Sequence, residues 1–297
     1  MPNYFSLAAK ILIAVLMLTG PAPGSHAYVL EGPHILDLTV RSIGSARTLL
    51  VSQRVCIFND EEAPDIPGSE SETPEYVEYE EVTGYGIPDH FRSDIETAQG
   101  AKTYFFSLGH RYLTVINETI TSRNEPLLSR YKDVLLIRDR DLLENHLVQR
   151  GIDTSISSLG RFNGNVHYVI GAKYPDESLP QLWVDQKTFR PSRYIIPDTD
   201  NPGIFHHVEI VYLDWKRFGR IWHPERIEIY KGGTILQTLE PENVSVNPVF
   251  EEDMFDIDKA LLLYKNNVAA ESNVEDTQDE LNRVRQSIEE FRKRFEQ

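Results

Sequence analysis

Residues 206–239, HHVEIVYLDWKRFGRIWHPERIEIYKGGTILQTL, decide the fold. Three β-branched and aromatic runs, at 206–215, 221–231 and 234–239, are strand-like in composition. Between the last two stands Lys231-Gly232-Gly233-Thr234. Two consecutive glycines supply the positive φ angles of a tight primed turn, which makes this pair an antiparallel hairpin. In the first run Val208, Ile210 and Tyr212 alternate with Val211, Leu213 and Trp215. Both faces of that strand are apolar, so both must be covered.

The same pattern extends in both directions. Upstream, strands are expected at 155–161, 166–172, 181–185 and 191–196, with a turn at 185–188 and another at 200–203. Downstream, 243–246 adds one more. The first half of the chain repeats the theme with strands at 48–58, 76–82, 91–95, 102–108 and 112–119 and a turn at 109–110. Helices punctuate it. Residues 31–43 open on Gly32-Pro33 and end at Gly44. Asn124-Glu125-Pro126 starts a helix carrying Leu127, Leu128, Tyr131, Val134 and Leu135, and Asp141 is expected to cap another that Gly151 stops. The fold class is therefore α+β, mainly antiparallel β: a curved sheet or barrel with helices against it.

The chain has 297 residues and a formal charge of −16. That balance argues against nucleic acid as a partner, because phosphate binding needs a basic surface. Residues 1–27 read as a secretory signal: Lys10, an apolar run at 11–18, helix breakers Pro21, Pro23 and Gly24, then Ser25-His26-Ala27 before a cleavage site near Ala27. An uncleaved anchor is the alternative. No Cys follows the run, so a lipoprotein attachment site is absent from it. Residues 59–81 hold ten acids and no Lys or Arg, so 59–74 is expected as a solvated acidic loop, with a calcium site as the weaker alternative. Residues 258–297 form a separate tail, an expected amphipathic C-terminal helix. Its Leu281, Val284, Ile288, Phe291 and Phe295 recur at heptad-like spacing, suited to folding back on the domain or to gripping an envelope protein partner.

Chemistry-bearing motifs are scarce. The sequence contains no G-x-S-x-G, H-E-x-x-H, P-loop or C-x-x-C, and Gly84-Tyr85-Gly86 lacks the rest of a dinucleotide loop. His206 and His207 are neighbours on a strand and point to opposite faces, which disfavours a shared metal. Cys56 reads as a buried small hydrophobe, so no catalytic residue, metal or cofactor is expected and the protein is read as not an enzyme. The doubly apolar strands have two readings: an ordinary core, or a face for a lipid-like ligand.

The order of these elements resembles a known family. Residues 86–95 (GIPDHFRSDI), 181–191 (QLWVDQKTFRP), 206–215 followed by 221–227 (IWHPERI), and 244–257 with Met254-Phe255 are similar to successive elements of the LolA/LolB-like superfamily, periplasmic carriers and receptors for outer-membrane lipoproteins. The resemblance spans about residues 28–257. It implies a strongly curved, incomplete β-barrel covered by helices, with the helices at 125–150 as the movable cover and acyl chains of a lipoprotein or lipid held between. On that implication the cavity-wall candidates are Phe91, Phe105, Trp183, Phe189, Tyr194, Tyr212 and Trp222, and the location is the periplasm. The family's arginine before the strand proline is replaced by Ile87, and the nearest arginine is Arg92, so a latch of that type is not expected. A secreted scaffold that uses its tail to hold a partner is the competing reading.

Overall fold

The computed structural model describes residues 29–58, 76–97, 100–107, 111–197 and 207–264. The expected leader, the acidic loop at 59–74, the turns at 109–110 and 200–203, and the tail residues Leu281 to Phe295 lie outside them.

Thirteen strands among the described residues form one antiparallel sheet. They are β1 (Thr48–Ile57), β2 (Val77–Gly86), β3 (His90–Thr97), β4 (Gly100–Ser107), β5 (Arg111–Ile116), β6 (Thr119–Ser122), β7 (Ser157–Phe162), β8 (Asn165–Ile170), β9 (Gln181–Asp185), β10 (Pro191–Pro197), β11 (His207–Phe218), β12 (Ile221–Lys231) and β13 (Thr234–Val246). The spatial order runs β6-β5-β4-β3-β2-β1-β13-β12-β11-β10-β9-β8-β7. Two meanders thus meet where β1 pairs with β13, and β6 and β7 are left as opposite edges of an unclosed barrel. This is the curved, incomplete barrel that the sequence leads one to expect.

Local chemistry explains the hairpins. Gly232 and Gly233 adopt φ of +57° and +82°, as the primed turn requires. Asp185 Oδ1 accepts from the backbone N–H of Lys187 and of Thr188, at 3.1 and 2.7 Å, and closes the β9–β10 turn. The runs at 234–239 and 243–246 are one strand, β13. Pro241, which has no N–H to give, sits where the register with β1 shifts between Ser52 and Gln53.

Helices pack on both faces. α1 (Gly32–Ile43) precedes β1 and packs, with the crossing segment, on the concave face, and α4 (Ile257–Leu263) follows β13 and packs on the outer one. The connection from β6 to β7 must travel between opposite edges of the sheet, so residues 123–156 cross the open side. They contain a 3₁₀ segment, Leu127–Lys132, then α2 (Asp133–Leu136) and α3 (Arg140–Gln149). The apolar spacing at 127–135 predicts an α-helix, but most of it is 3₁₀, and the α-helical turn begins only at Asp133. The cap of α3 is Asp139, whose Oδ1 accepts from Leu142 N–H at 3.0 Å, and not Asp141, which is exposed beside Arg140.

Two further expectations change. Residues 244–257 do not extend the last strand, which ends at Val246. Met254 and Phe255 instead fold onto Gly84 and Gly86 of β2, where a Cβ on Gly84 would collide with the Met254 side chain. Cys56 is half-buried rather than enclosed. It stands on the face of β1 opposite Val55 and Ile57, with Sγ 3.6 Å from Glu78 Oε2; burial first, then that carboxylate, pushes its thiol pKa up.

Candidate ligand-binding site

The concave face collects most of the core. Val51 and Val55 of β1, Tyr85 of β2, Phe91 of β3, Ile170 of β8, Leu182 and Val184 of β9, Tyr194 and Ile196 of β10, and Ile210 and Tyr212 of β11 are all buried in one apolar cluster. The opposing layer is Ile35 and Leu36 of α1, Tyr131, Val134, Leu135, Leu136 and Ile137 of the crossing segment, and Leu143 and Leu147 of α3. Residues 134–136 are at most 1% exposed, so the cover fills this face with its own side chains. Each such Leu or Ile contributes about 1.5–3 kcal/mol by leaving water.

Polar bonds fix the cover to the sheet. Tyr212 OH donates to Tyr131 O at 2.9 Å, and Gln53 Nε2 donates to Tyr131 OH at 3.1 Å and to Glu81 Oε2 at 2.7 Å. Arg138 Nη1 donates to Gly44 O at 3.0 Å, joining the crossing segment to the end of α1. Burial lowers the Arg138 pKa to about 10 and raises that of the enclosed Glu81 carboxyl.

A charged knot lies between the two layers. Lys132 Nζ is 2.7 Å from Glu125 Oε1 and 3.5 Å from Asp133 Oδ1. His146 Nε2 of α3 is 2.8 Å from Asp133 Oδ2, and Arg150 reaches both Glu125 and Asp133. Arg130 Nε stands 3.6 Å from Glu125 Oε2. Lys132 and Asp133 side chains are each 1% exposed, so these charges survive only because they are paired. Burial alone would raise both carboxyl pKa values. At Asp133, His146 and Lys132 outweigh it and hold the group well below the usual carboxylate range. At Glu125, Lys132 leads the opposing charges and the net shift is also downward.

The expected wall residues separate by strand parity. Phe91, Tyr194 and Tyr212 lie in the concave cluster, and Phe189 packs at its margin, stacked on Tyr168 with centroids 5.8 Å apart. Phe105 is on the other side of β4, in a cluster with Leu113, Val115 and Ile120 that α4 covers through Ile257 and Ala260. Trp183 is likewise on the outer side, with Val169 and Ala172, under the Arg193 guanidinium. Trp222 is half-buried, with Arg190 stacked 3.3 Å from its ring centroid. Arg92 pairs with Asp94 at 2.8 Å and lies over Phe105, remote from any latch. The sequence reading missed Tyr85, Phe106 and Tyr112 on the concave side and nearly all of the charged knot. Its one visible trace was His146, a polar residue within the apolar stripe of α3. The outer face also carries a charged depression of about 200 Å³ among Glu177, Arg193, His207, Glu209 and Tyr230. Among the described residues no group of three His, Cys, Asp or Glu side chains is placed to hold a metal ion.

This geometry, a sheet of two meanders left open and crossed by helices, has a counterpart among solved structures. A LolA superfamily protein from Nitrosomonas europaea superimposes with a TM-score of 0.51, covering 78% of this chain and 100% of its own at 12% identity. The fold is LolA-like. A domain from Vibrio parahaemolyticus described by an outer membrane lipoprotein-sorting role gives a TM-score of 0.48 at 11% identity, covering 77% and 97% of the two chains. A DUF1329 family protein from Desulfovibrio piger gives 0.40 at 10%, covering 76% and 98%. The likeness rests on the first of these and concerns shape. No family model and no curated protein matches the sequence. In this LolA-like chain, the segment 123–156 lies across the barrel's concave side, and no helix among the described residues is long and apolar enough to cross a membrane.

Proposed function

We propose that this protein is a non-enzymatic periplasmic binding protein that holds acyl chains of a lipoprotein or lipid on the concave face, beneath the crossing helices. One observation supports this reading. The apolar face of an unclosed barrel is covered by the crossing segment, through Tyr131, Val134, Leu135 and Leu136, beside Ile35 and Leu36 of α1. An acyl chain transfers about 0.8 kcal/mol per methylene out of water, so a long chain offsets part of the burial that the cover surrenders on moving aside. Binding is then an exchange of one apolar layer for another, with no covalent step. Phe91, Tyr194 and Tyr212 are the wall residues this reading retains at its centre, with Phe189 at the edge; Phe105, Trp183 and Trp222 face elsewhere. Secretion by the 1–27 leader belongs to the same proposal.

The test is native mass spectrometry of full-length protein purified from its own cell envelope under mild conditions. A co-purifying lipid or acylated peptide is expected. Consistent absence of either, together with no uptake of added fatty acid, would refute the proposal.

A second reading has its own support. α4 is anchored on the outer face by Ile257, Ala260 and an Arg111–Asp258 ion pair, while Leu262 and Leu263 are 72% and 70% exposed. The last described element therefore lies on the side opposite the cover, which supports a reading in which residues 265–297 hold an envelope partner. Deleting residues 265–297 should then abolish partner capture and leave lipid binding intact.

A further inference from the structure

Lysine is seldom fully buried, and an apolar side chain of similar length would fill the same space without desolvating a charge. Lys132 is nonetheless enclosed, and it is enclosed by rings. Its Nζ lies 4.6 Å from the Phe106 centroid, 5.8 Å from Phe91 and 6.0 Å from Tyr112. The three rings come from adjacent strands and are direct cross-strand partners, Phe91 with Phe106 and Phe106 with Tyr112. Phe106 and Tyr112 stand 5.1 Å apart at 37°. Ring faces carry negative charge density and attract ammonium groups.

Ownership of the parts matters. The rings belong to the sheet. Lys132, with Glu125 and Ser129 that accept its hydrogen bonds at 2.7 and 3.2 Å, belongs to the crossing segment. When that segment lifts, the lysine leaves and the aromatic box stays. Phe91 and Phe106 are themselves members of the concave apolar cluster, so the box opens directly onto the face assigned above to acyl chains. We propose that Phe91, Phe106 and Tyr112 form a receptor for the ammonium head of an amphiphile, and that Lys132 fills it as a built-in substitute while the cover is closed. This rests on the acyl-binding reading and adds the headgroup class to it: a primary or methylated ammonium, with the attached chains running over Tyr194, Ile210 and Tyr212.

The experiment uses full-length protein and two short-chain lipids with equal dihexanoyl tails, one a phosphocholine and one a phosphoglycerol, titrated by calorimetry. Wild type should bind the phosphocholine about fivefold more tightly, a ratio within reach of cation–π attraction. Phe106→Leu should bring the ratio close to one, whatever it does to either affinity. Equal affinities in wild type would overturn the box. If neither lipid binds, the acyl reading fails, and the box is judged by a probe without tails. Lys132→Ala removes both the charge and the side chain from the box. Millimolar tetramethylammonium chloride should raise its melting temperature beyond what sodium chloride does, and the Lys132→Ala/Phe106→Leu double variant should lose that rise. No difference between the two salts would overturn the box independently of lipid binding. If Lys132→Ala does not fold, the wild-type ratio and its Phe106→Leu response decide.

Discussion

Asp133 is the residue on which the interior charges converge, with His146, Lys132 and Arg150 all within ion-pair reach of its carboxylate. Removing one member of a buried ionic set leaves the others unpaired at a cost of about 3–5 kcal/mol. Asp133→Asn should therefore lower the urea-unfolding free energy by about 3 kcal/mol, whereas Asp141→Asn, an exposed change on the same connection, should cost under about 0.5 kcal/mol. His223 gives a separate pH signature. It is 1% exposed on β12, its Nδ1 lies 2.8 Å from Pro224 O, and burial first of all holds its pKa down at about 4. The unfolded chain titrates this group near 6.5. Between those values the unfolded state binds the extra proton, so stability must fall as pH drops from about 6.5 to about 4, by up to about 3 kcal/mol. Denaturation of wild type across that window should show the slope, and His223→Gln should flatten it. Asp133 acts in a lower window: its depressed pKa contributes stability above about 4 that is lost on further acidification.

The crossing segment and the sheet make opposite predictions when weakened. Leu135→Ala or Leu136→Ala in the cover should cost about 2–5 kcal/mol of stability. Under the binding proposal, the same changes should tighten acyl affinity, because the open form becomes more populated. Ile210→Ala in the floor should lower stability and affinity together. Parallel loss of affinity in all three variants would contradict the exchange of layers. These elements also show what was legible in the sequence. Period-two patterning and turn chemistry located β9, β12 and the Gly232-Gly233 hairpin, because strands and turns are set by residues near one another. Facing was harder. Phe105, Trp183 and Trp222 differ from Phe106, Leu182 and Ile221 by one position, and one position reverses the side of a strand. Of the charged knot only His146, set among Leu143 and Leu147, left a trace, since Glu125, Lys132, Asp133 and Arg150 look like ordinary solvated charges until the crossing segment is laid across the sheet. The cap at Asp139 rather than Asp141 is a two-residue uncertainty of the kind common at helix ends.

At the scale of the molecule, the topology leaves little choice. Joining β6 to β7 at opposite edges forces one connection over the open face, and the apolar residues of that connection settle its packing. The shape is LolA-like, while the charge of −16, the acid-rich sequence at 59–81 and the tail are features of this chain. The central claim is that the concave face, and not the outer one, receives a hydrocarbon chain. The most direct measurement is photo-crosslinking of full-length protein with a diazirine-bearing long-chain fatty acid, followed by peptide mapping of the adducts. Labels are predicted on β8 to β11 at Ile170, Leu182, Tyr194 and Ile210, with unlabelled fatty acid competing them away. Competable labelling confined to the outer residues Phe105, Trp183 and Trp222, with the concave residues unmarked, would contradict the account.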